Sequence, residues 1–389
     1  MLPPDVALIA PYPTGGQLHA GPSGVASYTA NLAHALADVG MRVDVVAASE
    51  PDEGAVEAAW DGSVRVHRAY QRGGAALPVA VAAALDTGAP VVHLQHEVFL
   101  YGGPLSAAGL VPGLARLRRG ARTVVTLHQV VDTTTVDKSF TDLHRVKVPA
   151  SMARAALGGV QKVAASLSDV CVVHEEEFSS MVEGSVVIPH GVEVQPHGSQ
   201  AAARRRLGLD DRPVVLCFGF LAPYKGLEAV LDAAEVLGPD AVQVVVAGGP
   251  HPRLAAAGDD YADALQARYE HLGARFTGWV PEGDVVDWFR AADVAVFAYP
   301  APFSSSGALA LALAHGTPVL LSEAMGECTG APADLVTSVE ARDLAARLAR
   351  LCDPAERHRL GAASASFAQG RSWPRVAEEH ASLYERLVA

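Results

Sequence analysis

The chain has no closely spaced cysteines: Cys171, Cys217, Cys328 and Cys352 lie far apart, with no CxxC pair. That pattern suggests neither a zinc site nor a disulfide framework, and Cys171 and Cys217, inside apolar runs, read as small core residues. No apolar run approaches the roughly 18 to 20 residues needed to span a bilayer. The start, MLPPDVALIAPYP, has no basic segment and too short an apolar run for a signal peptide, so a cytoplasmic protein is expected. Positive charge is in deficit: 30 Lys and Arg stand against 43 Asp and Glu, a formal net charge of -13, which argues against nucleic acid as the main partner. There is no GxGxxG, which weakens a dinucleotide-dehydrogenase reading, and no HExxH. His93, His96 and Glu97 stand together in HLQHE, but on an extended segment the two histidines face opposite ways, so no metal site is expected.

What the chain does have is 389 residues, half of them hydrophobic and 19% charged, enough for two or three globular domains. Val6 to Ala10 reads as a strand and PYPTGGQLHAGPSG as a Gly- and Pro-rich loop. Val25, Tyr28, Leu32, Ala35 and Leu36 mark one face of a helix ending at Gly40, and Met41 to Ala47 reads as a strand. Together they form the first βαβ unit of a doubly wound parallel sheet. Gly15 and Gly16 would let a ligand approach the backbone beside a helix N-terminus. Further strands are expected at 64–67, 91–94, 123–127, 170–173 and 186–188, with helices at 78–85, 105–117 and 149–167. After the polar stretch EVQPHGSQAAARRRLGLDD the α/β pattern starts again, with strands at 214–218, 242–247, 276 and 294–298. The fold class expected is α/β, with polar residues gathered at strand C-termini.

Tyr299 to Leu321 reads YPAPFSSSGALALALAHGTPVLL. A loop gives way at Ser304, Ser305, Ser306, Gly307 and Ala308 to a helix of Ala and Leu, which Gly316 and Pro318 stop. Unpaired N–H groups, hydroxyls and the positive helix end there suit a phosphate. An ordinary serine cap on a buried helix is the alternative.

The order and spacing of GPSGVASYTANLAHALADVG, TVVTLHQ, VVIPHGVE, FGFLAPYKGLEAVLDAA, ARFTGWVP, and AADVAVFAYP through HGTPVLLS resemble the GT-B glycosyltransferases of the retaining GT4 family. The resemblance covers nearly the whole chain. It implies two Rossmann-like domains facing a central cleft, 1–193 on the acceptor side and 194–373 on the donor side, with 374–389 crossing back onto the first. It implies that the second domain holds the base and diphosphate of a nucleoside-diphosphate sugar. Lys225 then neutralises the diphosphate, and His128 lies near the anomeric centre of the sugar. Trp279 and Val280 match backbone contacts to the nucleobase, though a buried loop tryptophan is an alternative reading. Asp132, Asp137 and Asp142 are candidates for the acceptor side.

The departures from the pattern are specific. The two positions of the family's Glu-x7-Glu motif read Phe303 and Leu311, and the usual arginine partner of Lys225 reads Phe220. There is no Asp-x-Asp pair, so a metal-dependent GT-A transferase is not supported. The activity expected is transfer of a sugar, with retention and without metal or cofactor, to a small-molecule, glycan or lipid-linked acceptor. A GT-B epimerase, a phosphorylase and a noncatalytic nucleotide-sugar-binding partner are the competing readings. Arg145, Lys147, Arg154 and Lys162, along 143–167, also raise peripheral membrane contact, against the alternative of a helix packed on its own sheet.

Overall fold

The computed structural model of the chain describes every residue except 1–2, 15–23, 50–53, 60–61, 99, 103–107, 145, 196–197, 257 and 303, and omits the side chains of 57–59, 252 and 253. Gly15, Gly16 and Phe303 therefore lie outside the described residues.

The first half carries strands β1 (Val6–Ile9), β2 (Val43–Ala48), β3 (Val56–Ala59), β4 (Val64–Tyr70), β5 (Val91–His96), β6 (Arg122–Leu127), β7 (Val170–Val173) and β8 (Val186–Val187). They form one sheet in the order β3-β4-β2-β1-β5-β6-β7-β8. All pairings are parallel except that of β3 with β4, which adds an antiparallel edge the sequence did not suggest. Alternate residues feed two cores. Ala7, Ile9, Val92 and Leu94 pack on one face, and Val6, Leu8, Val91 and Val124 on the other. A sheet buried on both faces needs the continuous Val-, Ala- and Leu-rich runs that these strands have.

The second half carries β9 (Val214–Phe218), β10 (Gln243–Ala247), β11 (Arg275–Phe276), β12 (Val294–Phe297), β13 (Val319–Ser322) and β14 (Val336–Thr337), ordered β11-β10-β9-β12-β13-β14 and wholly parallel. Strand order reverses beside β1 in the first sheet and beside β9 in the second. Ligands of open α/β sheets collect at such points, outside the strand C-termini.

The helix Trp373–Val388 buries Val376, His380, Leu383 and Tyr384. Val376, Leu383 and Tyr384 join the core of Val6, Leu8 and Val45 in the first sheet. The chain thus passes between the halves twice, and the two passages lie side by side. Val192 N donates to Arg371 O at 2.7 Å, and Trp373 N donates to Val192 O at 3.2 Å. A Cβ on Gly191 would sit 2.3 Å from the Trp373 indole, so only glycine lets the two segments close up.

Candidate active site

The loop after β9 is shaped by two glycines. Gly226 has φ +64°, and a Cβ there would meet Ala298 O at 2.0 Å. It ends a single turn, Pro223–Lys225, and fixes where Lys225 emerges. The Lys225 ammonium donates to the Tyr299 hydroxyl and lies 4.3 Å from the Tyr299 ring centroid and 5.3 Å from that of Tyr224. Burial works against its charge, but Tyr299 and Tyr224 outweigh burial and hold its pKa above the ordinary lysine value. Lys225 pairs with no carboxylate among the described residues. A Cβ on Gly219 would lie 3.8 Å from Ala308 Cβ and 4.0 Å from Lys225 Nζ, so Gly219, Lys225 and Ala308 converge on one place.

The serine run divides its work. Ser304 forms an antiparallel bridge with Gln129, the residue after His128, so the end of β6 meets the serine run across the cleft. Ser305 Oγ donates to Glu175 Oε1 at 2.8 Å. Glu175 is only 2% exposed and takes the fork of Arg371, with Nη1–Oε1 3.1 Å and Nη2–Oε2 2.8 Å. Arg371 also donates to Thr329 O at 2.7 Å and lies 4.7 Å over the Phe367 ring. Ser306 is the N-cap of the helix Gly307–Ala314. Its Oγ accepts from Leu309 N at 3.2 Å and lies 3.1 Å from the Tyr299 hydroxyl. Two of the three serine hydroxyls are therefore engaged within the protein. The first residue of the helix, Gly307, is exposed, and a Cβ there would meet nothing within 4 Å.

Trp279 is not buried; it is 71% exposed, beside a buried Val280. Its ring lies 6.0 Å from that of Phe220, which lies 5.3 Å from His251. This aromatic group stands beyond the C-terminal ends of β9, β10 and β11. The Lys225 loop itself abuts the first half, where Tyr224 stacks on His144 with centroids 5.5 Å apart.

On the first half, polar residues follow three successive strands: Glu97 after β5, His128 after β6, and His174 with Glu175 after β7. His128 is buried, and Tyr28 packs at its centre. The Tyr28 ring lies 4.8 Å from His128, 5.1 Å from His174, 5.1 Å from His190 and 5.3 Å from Trp373. His128 Nε2 lies 2.8 Å from the Gln95 side-chain amide, and its Nδ1 lies 3.3 Å from His174 Nε2. Burial is the first cause that lowers these histidines. It takes His96, His174 and His190 to about 4, and His128 well below the usual imidazole range. Burial also raises Glu97, whose Oε1 accepts from Gln129 Nε2 at 3.2 Å.

Tyr28, Gln95, His174, Glu175, Tyr299 and Arg371 were not singled out in the sequence. The repeated polar residue just past a strand end was the available signal for His174 and Glu175. Asp137 caps the helix Lys138–Leu143 through Phe140 N, Asp142 pairs with Lys138, and Asp132 accepts from Thr134. Arg145 lies outside the described residues, and Arg154 turns inward to donate to Val136 O. Among the described residues no helix is long and apolar enough to cross a membrane.

Comparison with known proteins places two family models on the chain. "Glycosyltransferase Family 4" matches residues 22–198, and "Glycosyl transferases group 1" matches residues 212–353. The D-inositol 3-phosphate glycosyltransferase of Streptomyces coelicolor is 32% identical over 330 residues, covering 79% of this chain and 66% of that protein. Its namesake from Kineococcus radiotolerans is 34% identical over 227 residues, covering 52% of each. The chain thus spans about half to two thirds of the length of these curated relatives. Sucrose-phosphate synthase from Thermosynechococcus elongatus superposes with a TM-score of 0.75 at 24% identity, covering 98% of each chain. Anabaena HepE, solved in complex with UDP-glucose, superposes with a TM-score of 0.67 at 17% identity, covering 98% of this chain and 99% of that one. These two superpositions bear on the fold alone.

Proposed function

Because the chain belongs to the GT4-like glycosyltransferases of GT-B fold, we propose that it moves a sugar from a nucleoside-diphosphate sugar to an acceptor hydroxyl, with retention of configuration and without a metal ion. The observation that carries this reading is Lys225. A half-buried ammonium whose protein partner is a neutral phenol keeps its full charge for a ligand, and an unpaired cation away from water is costly unless an anion meets it. It stands at the switch point of the second sheet, beside Gly219, Ala308 and the open start of the helix Gly307–Ala314.

The diphosphate would bridge Lys225 and the N–H groups of that helix, where the helix dipole also favours negative charge. As the bond to the sugar breaks, charge grows on the leaving phosphate, which is where a fixed ammonium lowers the barrier. In a front-side displacement the departing phosphate oxygen accepts the acceptor's proton, so no separate carboxylate base is required. The exposed Trp279 and Phe220 offer a surface for the base. The acceptor would be a small molecule, a glycan or a lipid-linked sugar held mainly by the first half.

Titration calorimetry with UDP, GDP and dTDP tests the reading. One of them should bind, and Lys225→Ala should remove most of that affinity in a folded protein. Failure of all three to bind, or an unaffected variant, would overturn it. The second reading, a nucleotide-sugar-binding protein without turnover, draws on Leu311, an apolar core-packing residue at a position where the Glu-x7-Glu pattern of the family calls for a carboxylate. Binding of the nucleotide without consumption of the sugar nucleotide would favour it.

A further inference from the structure

A line of buried polar side chains crosses the first half beneath its strand ends. Tyr384, on the last helix, has its hydroxyl 2.6 Å from His93 Nδ1. His93 Nε2 lies 2.7 Å from Thr126 Oγ1 and 3.2 Å from the Gln95 amide. The same amide lies 2.8 Å from His128 Nε2, and His128 Nδ1 lies 3.3 Å from His174 Nε2. His174 Nδ1 lies 2.9 Å from the carbonyl of Ile188.

The proton positions in this line follow from its far end. A carbonyl only accepts, so His174 must carry its proton on Nδ1. A neutral His174 then has a bare lone pair on Nε2, and His128 must meet it with Nδ1–H. A neutral His128 in turn has a lone pair on Nε2, which requires an N–H from Gln95. That N–H is supplied when the Gln95 carboxamide turns by 180°, which exchanges its oxygen and nitrogen and moves nothing else. Its oxygen then faces His93 Nε2–H, and His93 Nδ1 accepts the buried proton of Tyr384. From Tyr384 to Ile188 every bond points the same way, and the Thr126 hydroxyl oxygen, 2.7 Å from His93 Nε2, shares that N–H as a second acceptor. With the amide the other way round, His128 and His174 face each other with two lone pairs. An extra proton would be needed in a site whose burial disfavours imidazolium.

We propose that Gln95 and His174 are positioning residues that hold His128 as the neutral Nδ1–H tautomer. Its Nε2 then becomes an acceptor for a hydroxyl of the donor sugar when Gln95 yields its place. The second half of this statement rests on the donor reading above; the tautomers do not. His128 accordingly reads a hydroxyl proton on the sugar and does not donate to it.

Long-range nitrogen–proton correlation spectra of histidine-labelled protein at neutral pH test the first half. His128 and His174 should appear as Nδ1–H and His93 as Nε2–H. An Nε2–H tautomer or an imidazolium at His128 would overturn the proposal, and this measurement needs no variant. Gln95→Glu presents only acceptors and should drive His128 to Nε2–H. In that variant, affinity for a nucleoside-diphosphate glucose should fall about tenfold, while affinity for the free nucleoside diphosphate stays within twofold, using whichever of the UDP, GDP and dTDP pairs the wild type binds. Equal affinities in wild type and variant would remove the positioning role. Failure of the donor reading shows separately, as wild type that binds no nucleoside diphosphate.

Discussion

The two halves share one sheet plan but fill their strand ends with opposite chemistry. Beyond β6, β7 and β8 stand neutral imidazoles packed edge-on or tilted against Tyr28, each committed to a protein partner or a ring contact. Beyond β9, β12 and β11 stand, in turn, an ammonium, an uncovered helix start and an exposed tryptophan. A neutral, fully bonded surface discriminates hydroxyl patterns, because a mismatched hydroxyl leaves a buried polar group unpaired. A fixed cation binds charge with little regard for what the charge is attached to. In the proposed reaction the first half would read the sugar and the second would anchor it.

Acid should break the comparison most strongly. His93, His96, His128, His174 and His380 are buried and His190 is half-buried, and loss of water around them holds each below the ordinary value of 6.5, four of them at about 4. The folded state then binds fewer protons than the unfolded one between those values. Their stability is fully present above 6.5 and is lost as pH falls toward 4, at up to about 1.4 kcal/mol per pH unit for each histidine. Urea unfolding from pH 8 to 4 should show this loss unchanged in Lys225→Ala, because the Lys225 side chain packs on Tyr224 and Tyr299 and not on these histidines. A flat profile would mean that the histidines are charged or exposed.

The next effect concerns what joins the halves. Glu175→Ala leaves the Arg371 guanidinium buried without its carboxylate and releases Ser305, and should cost about 3 to 5 kcal/mol in the urea midpoint. A loss under 1 kcal/mol would show the pair to be well hydrated. Lys225→Ala should act on ligand affinity and barely on stability, costing about 1.5 to 3 kcal/mol, the worth of hydrogen bonds to a charged group. The smallest effect separates neighbours in the serine run. Ser306→Ala should lower stability by about 1 kcal/mol through the lost N-cap, with little change in nucleotide affinity. The reverse result would return its hydroxyl to the ligand.

Both sheets were legible in the sequence because each βα unit announces itself locally, by an apolar run, a glycine and a periodic helix. His128 and Lys225 stood out for the same reason, each just past a strand. The engagement of Ser305 was not legible, since its partner Glu175 is 130 residues away and nothing local marks the pairing. Tyr299 read as part of a loop, because its role depends on Lys225, 74 residues earlier. The helices Glu323–Thr329, Ala341–Ala349 and Pro354–Gln369 went unread although two of them carry local signals. Ser322 caps the first, and Asp353 with Pro354 opens the third. The antiparallel β3 is short and lies at an edge, where one partner strand suffices and a weak pattern is enough.

The paired passages at Val192 and Arg371 have a consequence for how such a chain can be rearranged. The first strand and the last helix share one core, so the second half is in topological terms an insertion. Its entry and exit points lie one hydrogen bond apart, at 2.7 Å. A linker of a few residues could close the first half over the gap, and the excised segment would bring its own two ends together. A second half held in this way can be exchanged between chains as a cassette, with the first half left in place.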